Sequence, residues 1–318
     1  MKHLLLAAVP LLLWSCTSSA PKLTDTQAET QAGIVEGQKE GDIVVYRGVP
    51  FAAPPVGELR WQEPQPVVAW EGVRQCTEFG DDPMQPNLFG DMNFLGKAKS
   101  EDCLYLNIWT PVQAEKAPVL IYFNGGGLMC GSGSEPRYAG DSLAHHGIVA
   151  ITANYREGMF GFLAHPELTA RSAHHTSGNY GALDQVAAIQ WVKDNIAAFG
   201  GDPARITIVG ESAGSFSVSL LMVSPLSKQT IAGAMLSSGA EVLPYNASTL
   251  AEAEQQGVAL LASRGLSSLA EARALSADSL QALLPPTGMS NVVLDGYFMK
   301  ESADDVFMKG EQAQIPLL

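Results

Sequence analysis

The sequence predicts an α/β fold in which a mostly parallel central sheet carries helices on both faces. Short apolar segments alternate with amphipathic or Ala-rich segments along most of the 318 residues. Strands that alternate with helices in this way form sheets whose faces are covered by those helices. No stretch within residues 33–318 has the composition of a linker, so we expect one domain there, although the length alone also permits two.

The individual elements follow from apolar spacing and glycine positions. Residues 181–199 have apolar side chains at the spacing of an amphipathic helix, and Gly200 with Gly201 should end it. Another helix is expected from Ser212, and further helices in the Ala/Leu/Glu/Ser-rich stretch 250–284. The predicted strands are a hairpin within 33–50 and single strands at 104–109, 119–123, 148–154, 206–209 and 231–236.

The N-terminal residues predict export. Residues 4–14 form an apolar run after Lys2 and His3 that is too short to span a bilayer and is typical of a signal peptide. The run ends at Cys16, as in a bacterial lipoprotein signal, where the cysteine is lipidated and becomes the new N-terminus. Trp14 departs from that pattern, and the alternative is an ordinary secretory signal cut nearby, for example after Ala20.

The expected location and partners follow from this signal and from the charge. We expect residues 1–16 to be the signal, and the polar, aperiodic residues 17–32 to be a flexible tether. The protein would then be periplasmic or anchored in the outer membrane, and otherwise secreted. A net charge of -14 repels nucleic acid and anionic membranes, so we expect no nucleic-acid partner and membrane contact only through the lipid.

Gly210, Glu211, Ser212, Ala213 and Gly214 form a G-x-S-x-G sequence between a predicted strand and a predicted helix. A strand-to-helix turn exposes the serine hydroxyl, and glycines at both ends avoid clashes in it. The helix N-terminus adds positive potential where negative charge develops during acyl transfer. Ser212 is therefore the candidate nucleophile. The alternative is a glycine–serine turn without chemistry, because the bare motif also arises by chance.

Three consecutive glycines, Gly125, Gly126 and Gly127, directly follow the predicted strand 119–123. A tetrahedral acyl intermediate carries an oxyanion that fixed N–H donors must stabilise. Such donors come from a glycine-rich loop and from the residue after the nucleophile, here Ala213. Alone, the glycines would equally suit a flexible loop, but beside the serine motif they indicate an oxyanion hole.

The cysteines and histidines do not suggest a metal site or a cofactor. Cys76 and Cys103 lie 27 residues apart in a chain expected to be exported, where disulfides persist, so we expect them to pair. Closing a loop of this size stabilises a fold by about 3–4 kcal/mol on the chain-entropy model. Cys130 is expected to be a buried free thiol. No cysteine or histidine spacing matches a metal-binding pattern, and we expect neither metal nor cofactor.

Several of these segments together resemble the type-B carboxylesterase family, which has the α/β-hydrolase fold and includes the cholinesterases. Residues 199–214 (FGGDPARITIVGESAG) and 101–111 (EDCLYLNIWTP) are similar to its two long signatures. Shorter similar stretches lie at 48–57, 178–185 and 190–196. The resemblance implies a serine carboxylic ester hydrolase that takes small-molecule esters through an acyl-enzyme.

The resemblance also implies roles for particular residues. It makes Ser212 the nucleophile and Gly126, Gly127 and Ala213 the oxyanion-hole donors. It implies a disulfide between Cys76 and Cys103, a buried ion pair between Arg60 and Glu101, and a supporting polar role in the pocket for Glu211. Asn124 and Leu128 depart from the family, which usually has His or Tyr and an aromatic residue there, so the acyl preference does not carry over.

The positions of the histidines indicate whether this chain can catalyse ester hydrolysis by itself. A serine hydrolase needs a histidine base oriented by a carboxylate, and in this fold both follow the serine. All six histidines precede Ser212, and the resemblance places the acid shortly after a strand like 315–318, where the chain ends. We therefore expect a fragment truncated at its C-terminal side that is inactive by itself. The alternative function is a non-catalytic adhesion protein on the same fold, and the intact serine motif favours the enzyme.

Overall fold

A computed structural model describes residues 23–240, 247–283 and 292–318. The predicted signal and Cys16 lie outside these residues. The strands are β1 Gln27–Thr30, β2 Gly33–Glu36, β3 Gln38–Glu40, β4 Ile43–Pro50, β5 Val73–Gln75, β6 Asp82–Pro83, β7 Lys99–Ser100, β8 Tyr105–Pro111, β9 Ala117–Phe123, β10 Val149–Ala153, β11 Gly201–Glu211, β12 Gly233–Ser237, β13 Ser248–Thr249 and β14 Val293–Leu294.

Nine α-helices and three short 3₁₀-helices accompany the strands in the described residues. The α-helices are α1 Asp141–His145, α2 Gly158–Phe162, α3 Pro166–Arg171, α4 Tyr180–Asn195, α5 Ala213–Val223, α6 Leu250–Ser263, α7 Leu269–Ala274, α8 Ala277–Leu283 and α9 Ala303–Lys309. The 3₁₀-helices are Gly57–Leu59, Pro136–Tyr138 and Ile196–Phe199. None of the helices in the described ranges combines the length and the apolar composition that crossing a bilayer requires.

The central sheet has seven strands in the order β12-β11-β9-β10-β8-β4-β3. The four strands from β12 to β10 are parallel, whereas β8, β4 and β3 pair antiparallel. The prediction of a mostly parallel sheet is therefore wrong for one half of it. The short connection between β3 and β4 explains part of the difference, because a tight turn can join only antiparallel neighbours. Leu317 extends the other edge, pairing parallel to Ala234 of β12.

Helices cover both faces of this sheet, as predicted. Side chains of β4 alternate: Val44 and Tyr46 join the large core with α4, α5 and α9, whereas Ile43 and Val45 pack with Ala144 of α1 on the opposite face. The alternation follows from the two-residue period of a strand. The division of the chain into domains stays a prediction.

The helix predicted at 181–199 is confirmed, with its last turn in 3₁₀ form. Gly200 ends it in the left-handed conformation, at φ 81°. A Cβ at this position would overlap Ala114, so the stop signal seen in the sequence is also a steric requirement.

The predicted tether, residues 17–32, is wrong in its last part, because β1 lies within that range and pairs antiparallel with β2. Ala28 is fully buried. The hydroxyl of Thr30 donates to the carbonyl of Gly33 over 2.8 Å and closes the turn, and the amide of Gln31 donates to Asn195 Oδ1 over 2.8 Å. These long-range contacts order a segment whose composition shows no periodicity.

Two buried ion pairs hold the loops around the sheet. The predicted pair is confirmed: Arg60 Nε and Nη2 donate to the two carboxylate oxygens of Glu101, each over 2.6 Å. The second pair was not predicted. Arg156 donates to Asp184 from Nε over 2.8 Å, from Nη2 over 2.7 Å and from its backbone amide over 3.0 Å.

Candidate active site

Ser212 lies in the turn between β11 and α5, at φ 51° and ψ −120°. A non-glycine residue in this region costs about 1–3 kcal/mol, and such strain is concentrated at functional sites. The amide of Ser212 donates to the carbonyl of Ser237 in β12 over 2.9 Å, which fixes the turn against the sheet. A Cβ at Gly210 would overlap Gly214, and a Cβ at Gly214 would overlap Phe123. The motif therefore needs glycine at both ends.

The three consecutive glycines follow β9 and lie directly against this turn. A Cβ built on Gly125 would be 3.1 Å from the Cβ of Ser212 and 2.6 Å from the carbonyl oxygen of Glu211. Gly126 and Gly127 have φ values of 117° and 69°, which side-chain-bearing residues rarely adopt. The carbonyl of Gly126 accepts from the amides of Met129 and Cys130 over 3.2 and 3.3 Å, so the loop turns back on itself.

The amides of Gly126, Gly127 and Ala213 are available to a ligand. Within the described residues, none of these three N–H groups donates a hydrogen bond to the protein. Gly127 and Ala213 line the same cavity as Ser212, and Gly126 is the neighbour of Gly127 in the loop. Fixed, unpaired N–H donors beside a serine are what a tetrahedral oxyanion requires.

The cavity has a volume of about 150 Å³ and is mainly apolar. Leu128 contributes from the glycine loop, Phe216 from α5, and Val292 and Met299 from the segment before α9. The sequence has no local signal for Val292 and Met299, because they reach the cavity only through the folding of a distant segment.

Glu211 is half-buried, and its Oε2 would be 3.0 Å from a Cβ on Gly125, which puts the carboxylate beside the glycine loop. Glu211 is not one of the described residues that line the cavity. Its supporting role in the pocket stays a prediction.

A buried polar network lies behind the glycine loop and was not predicted. Asn124 Nδ2 donates to the carbonyl of Gly125 over 3.1 Å and to Glu157 Oε1 over 3.0 Å. The hydroxyl of Tyr155 donates to the carbonyl of Asn124 over 2.9 Å. Burial raises the pKa of Glu157 well above its ordinary value, and the polar groups of Asn124 and Tyr155 oppose that rise only in part. Burial therefore favours the neutral form of Glu157 over the charged one.

Side chains from β6 and the loop after it hold the far end of the glycine loop. Gln85 exchanges two hydrogen bonds of 2.8 Å with the backbone of Gly131. Asp82 Oδ1 accepts from the hydroxyls of Ser132 and Ser134. The loop that would hold the oxyanion is thus fixed along its length.

The histidines of the described residues have other roles. His165 caps α3, accepting from the amide of Glu167 over 3.2 Å, and burial lowers its pKa. His145 pairs with Asp42 over 2.8 Å, and the ring of His174 stacks on that of Tyr297 at 3.7 Å. Among the described residues that line the cavity beside Ser212 there is no histidine.

The structure describes three cysteines, Cys76, Cys103 and Cys130. Cys76 and Cys103 are free, buried thiols, so the expected disulfide is not formed in this structure. Burial raises the pKa of Cys76 to about 11 and that of Cys103 well above its ordinary value, which disfavours the thiolate form of both. Non-reducing peptide mapping of exported protein tests the pairing, which stays a prediction. Cys130 is buried and free, as expected.

In the ranges that the structure describes, no group of three or more His, Cys, Asp or Glu side chains could hold a metal ion. The candidate site therefore consists of the serine turn, the free amides and the apolar cavity.

Comparison with known proteins places this site in context. The model of the carboxylesterase family matches residues 24–285. By sequence, the chain is similar to fumonisin B1 esterase of Sphingopyxis macrogoltabida, at 44% identity over 311 residues, 94% of this chain and 55% of that protein. It is also similar to phenmedipham hydrolase of Pseudarthrobacter oxydans, at 43% identity over 222 residues, 68% of this chain and 43% of that protein.

Solved structures show the same similarity. A carboxylesterase of Geobacillus stearothermophilus superposes with a TM-score of 0.82 at 39% identity, covering 92% of this chain and 60% of that one. A PNB esterase superposes with a TM-score of 0.83 at 33% identity, covering 92% of this chain and 62% of that one. The predicted α/β-hydrolase fold is confirmed. The chain spans about half the length of the curated relatives it matches.

Proposed function

Because this chain belongs to the carboxylesterase family, we propose that the whole protein hydrolyses carboxylic esters through an acyl-enzyme on Ser212. The observation that carries the proposal is the position of the strained Ser212 turn. Ser212 lines the same cavity as Gly127 and Ala213, whose amides are free. Each part alone has a structural explanation, but a binding protein has no use for a strained serine beside unpaired donors. This combination favours the enzyme over an adhesion protein on the same fold.

In the proposed reaction, Ser212 Oγ attacks the ester carbonyl and passes its proton to a histidine base. The amides of Gly126, Gly127 and Ala213 stabilise the resulting oxyanion. Its collapse expels the alcohol, which takes the proton from the histidine, and water then releases the acid by the same route. We place the histidine and its carboxylate outside these 318 residues, since every histidine here precedes Ser212.

The cavity indicates the substrate class. Its volume is about 150 Å³, and apolar side chains form most of its wall. An apolar cavity of about this size holds one small ring such as benzene. We therefore propose small-molecule esters with a short or single-ring apolar group beside the carbonyl.

The location of the protein is also a proposal. We propose export with a lipid on Cys16, motivated by the short apolar segment that ends there. Membrane fractionation of the wild type and of Cys16→Ala tests this. Unchanged membrane association and precursor processing in the variant would refute it.

Active-site labelling tests the reaction. Treatment of the whole protein with a fluorophosphonate should place the label on Ser212, and Ser212→Ala should lose both label and hydrolysis of p-nitrophenyl acetate. Ser215→Ala is the matched control, because Ser215 lies one turn further along α5 and its hydroxyl donates to the carbonyl of Gly239. That variant should still be labelled on Ser212. Label on another residue, or activity surviving in Ser212→Ala, would contradict the proposal.

A further inference from the structure

The two loop amides of the candidate oxyanion hole are oriented by different means. In a planar trans peptide the C=O and the N–H point in opposite directions, so a contact that fixes the carbonyl also fixes the amide. The amide of Gly127 shares its peptide with the carbonyl of Gly126, which accepts from the backbone amides of Met129 and Cys130. That amide is therefore oriented by the turn of the loop itself.

The amide of Gly126 depends on side chains instead. It shares its peptide with the carbonyl of Gly125, which accepts from Asn124 Nδ2 over 3.1 Å. The second hydrogen of that same Nδ2 goes to Glu157 Oε1 over 3.0 Å. Asn124 is 1% exposed and Glu157 is 1% exposed, so water does not compete for either group. The carboxamide is held between Glu157 and the peptide that carries the Gly126 amide.

Glu157 has no structural role of the usual kind for a buried acid. Its neighbour Arg156 is committed to Asp184, and in the described residues Glu157 Oε2 has no hydrogen-bond partner. Burying an acid whose second oxygen is unsatisfied costs stability, and a polar group kept at such a cost calls for an explanation. Asn124 is the side chain that joins Glu157 to the glycine loop, through the 3.0 Å hydrogen bond to Oε1, and Tyr155 is its other polar neighbour.

We propose that Glu157 is a positioning residue for ester hydrolysis: through Asn124 it orients the Gly125–Gly126 peptide, and with it the Gly126 amide that binds the oxyanion. The inference rests on the proposed function. It also explains why Asn124, which departs from the family pattern, is accompanied by an acid at position 157. What the contact needs from Glu157 is the acceptor oxygen Oε1, not a negative charge, so glutamine should replace it.

Steady-state kinetics on the whole protein test the inference. Asn124→Ala should lower kcat about 100-fold, as expected when an oxyanion donor is lost or displaced by about 1 Å. Glu157→Ala should lower kcat about tenfold, because it removes a hydrogen bond that orients the oxyanion donor. Glu157→Gln keeps an acceptor oxygen, so its kcat should stay within about threefold of the wild-type value. KM should change little in all three. The affinity for a trifluoromethyl ketone, which forms an oxyanion on Ser212, should fall in parallel with kcat/KM.

Two further variants separate positioning from simple loss of stability. Thr110→Val removes a buried hydrogen bond of the same kind, 2.7 Å from the Thr110 hydroxyl to the carbonyl of Phe199, at the end of the strands opposite the glycine loop. The Thr110→Val variant should have a lower melting temperature than the wild type and an unchanged kcat. Asn124→Asp keeps the side-chain shape but replaces the donor by an acceptor, so it should lose as much activity as Asn124→Ala even where the alanine variant folds poorly.

A double variant gives the sharpest outcome. If Glu157 acts through Asn124, then Glu157→Ala should have no further effect on kcat in the Asn124→Ala background. Two outcomes would overturn the inference: losses of kcat that multiply in the double variant, or an unchanged kcat in both single variants. The proposed function would still stand in either case, provided that the wild type is labelled on Ser212 and hydrolyses esters. A wild type without Ser212-dependent hydrolysis would overturn both.

Discussion

The buried carboxyl groups of Asp184 and Glu157 show how differently the frame and the site are built; Asp184 pairs with Arg156, the residue that precedes Glu157. Asp184 accepts three hydrogen bonds from Arg156 and so anchors α4 to the loop after β10. Glu157 accepts from Asn124, and its other oxygen has no hydrogen-bond partner among the described residues. The pair of Arg156 and Asp184, whose polar atoms are satisfied, holds the frame, whereas Asn124 Oδ1 and Glu157 Oε2 behind the glycine loop are buried without a partner among the described residues. Changes in the first should therefore affect stability, and changes in the second should affect rate.

The largest expected effect is on rate alone. Ser212→Ala in the whole protein should lower kcat by about 10⁶-fold, about 8 kcal/mol, because it removes the nucleophile. Its melting temperature should stay close to that of the wild type, since alanine keeps the strained backbone. Ser212→Gly should be equally inactive but more stable, because glycine tolerates a φ of 51°. A large loss of stability in Ser212→Ala would break the distinction between site and frame.

The next effect is on stability. Asp184→Asn should lower the free energy of unfolding by about 3–5 kcal/mol, because it leaves the guanidinium of Arg156 buried without a counter-charge. Urea unfolding measures this. Glu40→Gln is the control, since Glu40 pairs with Arg47 at the surface and such pairs contribute about 0–1 kcal/mol. Equal losses in the two variants would show that burial of the Arg156 pair does not matter.

A smaller effect should come from the glycine loop. Gly126→Ala places a Cβ where it would overlap the carbonyl of Cys130, at a φ of 117°, so the loop must shift. We expect kcat to fall about 100-fold, about 2.7 kcal/mol of transition-state stabilisation. Gly90→Ala is the matched control, because nothing lies within 4 Å of a Cβ at Gly90. If Gly126→Ala kept full activity, the Gly126 amide would not be an oxyanion donor.

The smallest effect should appear in the pH dependence of stability. Burial raises the pKa of Glu157 in the folded protein, so the folded state holds a proton that the unfolded state releases above about pH 4.3. Wild-type stability therefore contains a contribution that is present below that pH and is lost as pH rises through the folded pKa. Glu157→Gln does not titrate, and it should become more stable relative to the wild type as pH rises. Parallel curves of melting temperature against pH would show that Glu157 titrates normally.

Local patterns in the sequence determined the parts of the molecule that depend on neighbouring residues. The strand–serine–helix turn, the glycine loop after β9 and the end of α4 at Gly200 are each encoded within a few positions, because glycine alone satisfies the backbone there. The pair of Arg60 and Glu101 was found through the family resemblance and is confirmed.

Only the tertiary structure decided the contacts between distant segments. The antiparallel half of the sheet, the strand Gln27–Thr30 and the pair of Arg156 and Asp184 have no local signature. The same holds for the contact of Asn124 with Glu157, 33 positions apart in the chain. Each of these depends on which surfaces meet and exclude water when the chain folds. Spacing along the chain sets the faces of single elements, but burial of a polar group and its partner is settled only when those faces come together.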